Sequence, residues 1–280
     1  MTVAMIGEAQ NLPASLLLVG GGKMGGAMLE GWLKVGLPGS AATVIDPHPG
    51  PDLQQLCAAR GVALNPASDT IAPPEALVLA IKPQVLAEVG PQIAPLVDSR
   101  TTLISVLAGK TIANLDAAIP GCGGIVRSIP NLPAAIAQGA TGACTSPGLA
   151  EERRAMADAL LGAIGVVAWV EDEGLIDACT AVSGSGPAYV FLLAEELARA
   201  GIDAGLPEEL AQKLARATVA GAGAMLAQSP LPSGTLRENV TSKGGTTAAA
   251  LEVLMAENGF RPLLRDAVAA AKNRAGALSG

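Results

Sequence analysis

The sequence predicts an α/β domain built on a parallel sheet, followed by an all-α domain. Three observations predict it: short apolar runs alternate with helical segments up to residue 170, a glycine-rich turn directly follows the first run, and beyond Glu171 the apolar residues recur only at helical spacing. The chain has 280 residues, 50% of them hydrophobic and 15% charged, which is enough apolar material for two domains with cores of their own. The boundary is expected between residues 1–170 and 171–280, with residues 1–14 a loose N-terminal extension.

Leu16-Leu17-Leu18-Val19 forms the first strand, because four consecutive aliphatic residues suit a strand buried on both faces. Gly20-Gly21-Gly22-Lys23-Met24-Gly25-Gly26 then turns the chain into a helix over 24–35, which stops before Gly36 and Pro38. Strands follow over 42–46, 76–81, 102–106, 124–128 and 166–170. Helices lie between them over 52–60, near 85–93, and over 111–118 and 151–164. Such alternation implies parallel strands with helices on both faces. In the second half, helices are expected over 175–182, 188–200, 207–228, 246–257 and 260–277, separated by Gly, Pro and Ser clusters. The segment Ala220-Gly221-Ala222-Gly223-Ala224 lets helices approach closely. A helical domain of such small residues buries little area on itself, so it is expected to complete its core against a second subunit.

Composition excludes several functions. A net charge of −7 leaves no basic surface for phosphates, and five aromatic residues provide no stacking platforms, so no nucleic-acid partner is expected. His48 is the sole histidine, which removes zinc sites of the usual His or Cys/His type; no metal is expected. Cys57, Cys122, Cys144 and Cys179 are widely spaced, without a CxxC pair, and read as buried reduced thiols. The start of the chain lacks a basic segment followed by an apolar one, and the longest apolar run, 159–170, is too short to span a bilayer. A cytoplasmic protein with no membrane partner is the expectation.

The chemistry concentrates in a few loops. Gly20, Gly22 and Gly25 fit GxGxxG between a strand and a helix, and Asp46 follows about 20 residues on, at the end of the second strand. This is the fingerprint of a Rossmann-type dinucleotide-binding domain. The glycines let backbone approach a pyrophosphate at the helix N-terminus, where Gly21, Lys23 and Met24 also lie. Asp46 favours a free ribose 2′-hydroxyl, or else merely starts the turn Asp46-Pro47-His48-Pro49. His48 is read as a surface turn residue, with a 2′-phosphate contact as the alternative. The loops Ala80-Ile81-Lys82-Pro83 and Val106-Leu107-Ala108-Gly109 end two further strands and should face the same cofactor. In the helical half, Ser183-Gly184-Ser185-Gly186-Pro187 and Thr241-Ser242-Lys243-Gly244-Gly245-Thr246-Thr247 each precede a helix. The second can form an anion-binding nest suited to a substrate carboxylate. Either segment also reads as a simple capped turn.

VSGSGPAYVF at 182–191, ENVTSKGGTTAAAL at 238–251, AIKPQ at 80–84, SVLAG at 105–109 and RSIPNLP at 127–133 resemble pyrroline-5-carboxylate reductase. The resemblance runs from about residue 16 to 275. It departs at Lys243, where the family usually has proline, and at Ile129 and Leu132, where methionine and threonine are expected. It implies reduction of the cyclic imine 1-pyrroline-5-carboxylate to L-proline with NADPH or NADH, in a homodimer or a higher oligomer of dimers. An imine that arrives protonated needs orientation more than a strong protein acid, which one histidine does not contradict. The resemblance further implies that backbone groups of Gly244, Gly245 and Thr246 hold the carboxylate and that the Thr247 hydroxyl lies near the ring nitrogen. It places Glu173 at the substrate and Asn239 at the nicotinamide side; from its neighbours Glu171 and Asp172 alone, Glu173 reads as a surface acid.

Two other functions stay open on sequence. A β-hydroxyacid dehydrogenase pairs similar domains but needs a helical catalytic lysine, and 207–228 offers only Lys213 with no asparagine one turn on. A regulator that binds NAD(P)H without turnover is the non-enzymatic reading, and nicotinamide oxidation driven by pyrroline-5-carboxylate separates it from the reductase.

Overall fold

A computed structural model describes residues 11–279. Most of the expected loose extension lies outside the described residues. Its last three positions are held in place: Pro13 is buried, Leu12 packs on the core, and the Ala14 N–H donates to Glu75 Oε2 at 2.8 Å. Apolar contact outweighs the lack of regular structure there. The described chain falls into two compact units, one running up to Gly184 and resuming at Ala271, the other comprising Ser185–Ala270.

The first unit holds an eight-stranded sheet: β1 (Leu16–Val19), β2 (Ala42–Ile45), β3 (Ala63–Leu64), β4 (Ala76–Leu79), β5 (Thr102–Ser105), β6 (Gly124–Ile129), β7 (Gly139–Thr145) and β8 (Gly165–Trp169). Their spatial order is β3-β2-β1-β4-β5-β6-β7-β8. β1 sits between β2 and β4, with Leu16 level with both Ala42 and Ala76. The direction of winding therefore reverses beside β1, where open α/β sheets bind ligands.

Period-two alternation sorts the β1 side chains. Leu16 and Leu18 enter a core with Met28, Leu29 and Trp32 of α1 (Lys23–Lys34), Leu53 of α2 (Pro51–Arg60) and Leu160 of α5 (Glu151–Gly162). Leu17 and Val19 enter a second core with Leu86 and Ile93 of α3 (Leu86–Ile93) and Leu115 of α4 (Ile112–Ala118). The buried Trp32 indole donates to Leu160 O at 2.8 Å, so its polar atom is satisfied inside the core.

The sheet is not wholly parallel, as the alternation implied. β7 is a strand the sequence did not reveal, and it runs antiparallel to β6. Its residues, Gly-Ala-Thr-Gly-Ala-Cys-Thr, lack the branched aliphatics that signal a strand. They are small because a helix crosses them: a Cβ on Gly142 would stand 2.6 Å from Cys179 Cβ. That helix, α6 (Ile176–Cys179), packs on β6 and β7, so residues 171–184 cluster with the sheet.

The expected helix over 175–182 is only partly α-helical. A 3-10 turn at Glu173–Leu175 leads into α6, and Thr180–Gly184 forms a π-helical turn. The Ser183–Pro187 segment is thus a widened turn inside a helical run, not a plain capped turn. The hydroxyls of Thr180 and Ser183 both donate to backbone carbonyls four residues back, at 2.8 Å.

The second unit contains α7 (Gly186–Asp203), α8 (Glu208–Gln228), α9 (Ser233–Asn239), α10 (Thr246–Leu254) and the first part of α11 (Phe260–Ser279), with no strand among its described residues. α9 was not expected, since Pro and Ser punctuation surrounds it. Ala198, Ala211 and Ala215 are buried, while Val190, Phe191, Leu193, Leu210, Leu214 and Met225 are exposed.

Candidate functional site

The glycine turn is set by the sheet. Gly20 N–H continues the β1–β2 ladder to Ile45 O at 2.8 Å, and Gly20 then takes φ +95°, a left-handed conformation that favours glycine. A Cβ there would also stand 2.7 Å from Ala80 O. Gly25 is needed for a different reason, because its Cβ would overlap Gly20 O and force α1 away from the strand. Gly22 has φ −66° and nothing within 4 Å of the position its Cβ would take. That open space lies at the N-terminus of α1, where Gly22 supplies no side-chain cap and the first turn holds no acid. The helix's first N–H groups lack intrahelical acceptors, so the turn fits a pyrophosphate.

Ala80 N–H donates to Val19 O at 2.8 Å and Val106 N–H to Leu79 O at 3.1 Å, which carries the loops after β4 and β5 to the same sheet edge. The structure therefore brings Gly20, Gly21, Gly22, Lys23, Met24, Gly25, Ala80, Ile81, Lys82, Pro83, Val106, Leu107 and Ala108 to the carboxyl ends of β1, β4 and β5. Asp46 joins them from β2. Its Oδ2 accepts the Gly21 N–H at 2.7 Å, and its Oδ1 accepts the His48 N–H at 2.8 Å. Asp46 thus starts the turn and also stands against the glycines. His48 is exposed.

Glu173 is not a plain surface acid. Its Oε1 accepts from Arg127 Nη1 and from Ile112 N–H at the start of α4, both at 2.8 Å. Asp177 forms the second ion pair of Arg127, at 3.5 Å. The Arg127 side chain is only 5% exposed, so these carboxylates neutralise a charge that has left water. Nearby, Asn131 Nδ2 donates to Ser183 O and its Oδ1 accepts the Ala140 N–H, both at 2.9 Å. Asn131 thereby ties the π turn to β7. Burial pushes the Cys144 thiol up to about 11, with the Glu173 charge adding to it, and burial pushes Cys122 to about 11 as well. Both stay protonated at neutral pH and supply no nucleophile.

In the helical unit, Gly244 takes φ +71° and Gly245 caps α10 without a side-chain bond. The Gly245 N–H turns inward to Ser242 O at 3.0 Å, because the tight turn consumes it. The first-turn N–H groups of α10, beginning at Thr246 and Thr247, remain directed past the helix end. Thr247 is half-buried, Lys243 is exposed, and Asn239 is the last residue of α9. The sequence does not single out Asn65, Arg127 or Asn131 as site residues. Arg127 and Asn131 lie inside the RSIPNLP motif, which was their available signal, whereas Asn65 had none.

Residues 173–278 match the family described as pyrroline-5-carboxylate reductase dimerisation, and residues 15–109 match NADP oxidoreductase coenzyme F420-dependent. A pyrroline-5-carboxylate reductase of Pasteurella multocida is 39% identical over 246 residues, covering 86% of this chain and 89% of that protein. The solved structure of the Coxiella burnetii enzyme of that name is similar at 31% identity and a TM-score of 0.88, over 95% of this chain and 99% of that one. A Plasmodium falciparum pyrroline carboxylate reductase with NADP bound is similar at 27% identity and a TM-score of 0.77, over 95% and 98%.

Proposed function

The chain belongs to the pyrroline-5-carboxylate reductase family, whose members reduce 1-pyrroline-5-carboxylate to L-proline with NAD(P)H, and from that premise we propose which of its residues do the work. The observation that supports the reading is the pair of helix N-termini, at α1 behind the glycine turn and at α10, that carry no side-chain cap.

Gly20, Gly21, Gly22, Lys23, Met24 and Gly25 would hold the pyrophosphate, Asp46 the adenosine ribose, and the loops Ala80–Pro83 and Val106–Ala108 the nicotinamide half; the family resemblance implies a nicotinamide-side role for Asn239. When bound, NAD(P)H would supply the hydride to the ring carbon of the already protonated imine, whose C=N electron pair would move to nitrogen to give the neutral amine. Gly244, Thr246 and Thr247 N–H groups bind the substrate carboxylate, and Gly245 contributes the turn that aims them. Thr247 Oγ1 orients the ring nitrogen as it becomes an amine. Glu173 reaches substrate only through Oε2, because Oε1 is committed to Arg127 and Ile112.

Self-association belongs to the helical unit, whose match is to a dimerisation family. We propose a homodimer or an oligomer of dimers. Within Glu173–Asp203, a helical run of 31 residues, one 18-residue stretch reaches a mean hydropathy of 1.2, long and apolar enough by composition alone to cross a membrane. It lies within the dimerisation match, which supports a second copy as the cover for its apolar side chains. A cytoplasmic, reducing setting is supported by four cysteines that form no disulfide.

The test is Thr247→Ala. Loss of one hydrogen bond that strengthens in the transition state should lower kcat/KM about 10- to 100-fold. Inhibition by a carboxylate-bearing proline analogue should change much less. Unaltered kcat/KM would remove Thr247 from the site.

A further inference from the structure

Asp46 is held more firmly than its place at a strand end requires. β2 ends at Ile45, whose carbonyl takes the last ladder bond from Gly20 N–H, so the ladder leaves the Asp46 N–H and carbonyl unclaimed. Asn65, directly after β3, fixes it from the side. Its Oδ1 accepts the Asp46 N–H at 2.9 Å, and its Nδ2 donates to Asp46 O at 2.7 Å. Only a carboxamide offers one donor and one acceptor in that spacing. Asn65 itself sits at φ +51°, one of two non-glycine residues with positive φ among the described residues, and its N–H is anchored to Val44 O at 2.8 Å. Asparagine tolerates this conformation better than other side chains do. The backbone of Asp46 is thus clamped on both sides while its carboxylate lies on Gly21 N–H and on His48 N–H.

We propose that Asn65 is a specificity-determining positioning residue: it holds the Asp46 carboxylate at the glycine turn, where that charge accepts ribose hydroxyls and repels a 2′-phosphate. Asn65 does not touch the dinucleotide; it acts through Asp46. The proposal rests on the reading that Asp46 faces the adenosine ribose. Without the clamp, the Asp46 peptide gains freedom, its carboxylate leaves the ribose position for part of the time, and discrimination between NADH and NADPH relaxes.

Asn65→Gly removes the carboxamide and keeps the left-handed backbone at no steric cost. Two exposed hydrogen bonds of ordinary strength set the scale, so KM for NADH should rise about 3- to 10-fold with kcat unchanged. The ratio of kcat/KM for NADH over NADPH should fall in the same direction as in Asp46→Ser, but by less. Direct titration of NADH and NADPH by fluorescence, and the melting temperature of each variant, accompany the kinetics. A ratio that moves in Asp46→Ser but stays put in Asn65→Gly overturns the role of Asn65 and leaves Asp46 at the ribose. A ratio unchanged in Asp46→Ser overturns the reading of Asp46 and the proposal with it. Equal loss of both cofactors in Asn65→Gly, together with a lower melting temperature, makes Asn65 a stabilising residue only and also overturns the proposal.

Discussion

Gly20 and Gly22 stand two residues apart in one turn, and the structure assigns them opposite vulnerabilities. Gly20→Ala puts a Cβ 2.7 Å from Ala80 O and 2.8 Å from Ala80 C. Ordinary contact begins at 3.4 Å, so backbone must yield by about 0.7 Å against a neighbour that is itself fixed by the Ala80–Val19 hydrogen bond. The left-handed φ of +95° adds strain of about 1–3 kcal/mol. With overpacking of similar size, the variant should lose roughly 2–4 kcal/mol, or roughly 5–15 °C of melting temperature. Gly22→Ala meets nothing within 4 Å and keeps an ordinary φ of −66°. Its folding cost is that of a poorer N-cap, under about 1 kcal/mol. Its methyl, however, fills the space through which a pyrophosphate would approach, so KM for NADH or NADPH should rise about tenfold or more. Thermal melting and steady-state cofactor kinetics on both variants read the split directly. A Gly22→Ala enzyme with wild-type cofactor KM, or one that melts as low as Gly20→Ala, would refute the placement of the cradle.

Thr141 Oγ1 is a buried side-chain atom without a hydrogen-bond partner, on a residue 1% exposed. Thr141→Val should therefore raise stability by about 1 kcal/mol in urea unfolding, and a loss would mean that the hydroxyl has a partner. Glu173→Ala leaves Arg127 with Asp177 alone and orphans the Ile112 N–H, so it should destabilise by about 3 kcal/mol; a loss of rate with no loss of stability would contradict the structural bond. The thiols of Cys122 and Cys144 rise from the ordinary 9.0 to about 11 on folding, so their contribution is fully present below pH 9 and disappears as pH climbs through 11. Replacing both by alanine should flatten the fall in melting temperature over that window, and an unchanged slope would count against their burial as its cause.

Much of the sheet unit was legible because strong signals coincided there. β1 and β4 are unbroken aliphatic runs, and the turn after β1 is punctuated by glycine, so strand, turn and helix fell within a residue or two of their observed limits. β7 was illegible because its side chains are chosen for the close crossing of α6 and not for strand propensity. The π turn was hidden for a related reason, since Ser and Gly there read as a turn until Asn131 is seen holding the Ser183 carbonyl. In the site, GxGxxG and Asp46 carried their own spacing. Glu173 looked like one acid of three, because its partner Arg127 lies 46 residues away and only the fold joins them. Asn65 had no motif at all; its role comes from the pairing of β2 with β3, which brings Val44 level with Leu64.

The most direct measurement is the stoichiometry of turnover: the fall in nicotinamide absorbance and the proline formed, followed together with pyrroline-5-carboxylate as substrate. The enzyme should oxidise one NAD(P)H per proline, at a rate that drops in Gly22→Ala through KM for the cofactor and in Thr247→Ala at saturating cofactor. Binding of NAD(P)H without oxidation, or oxidation without proline, would contradict the assignment.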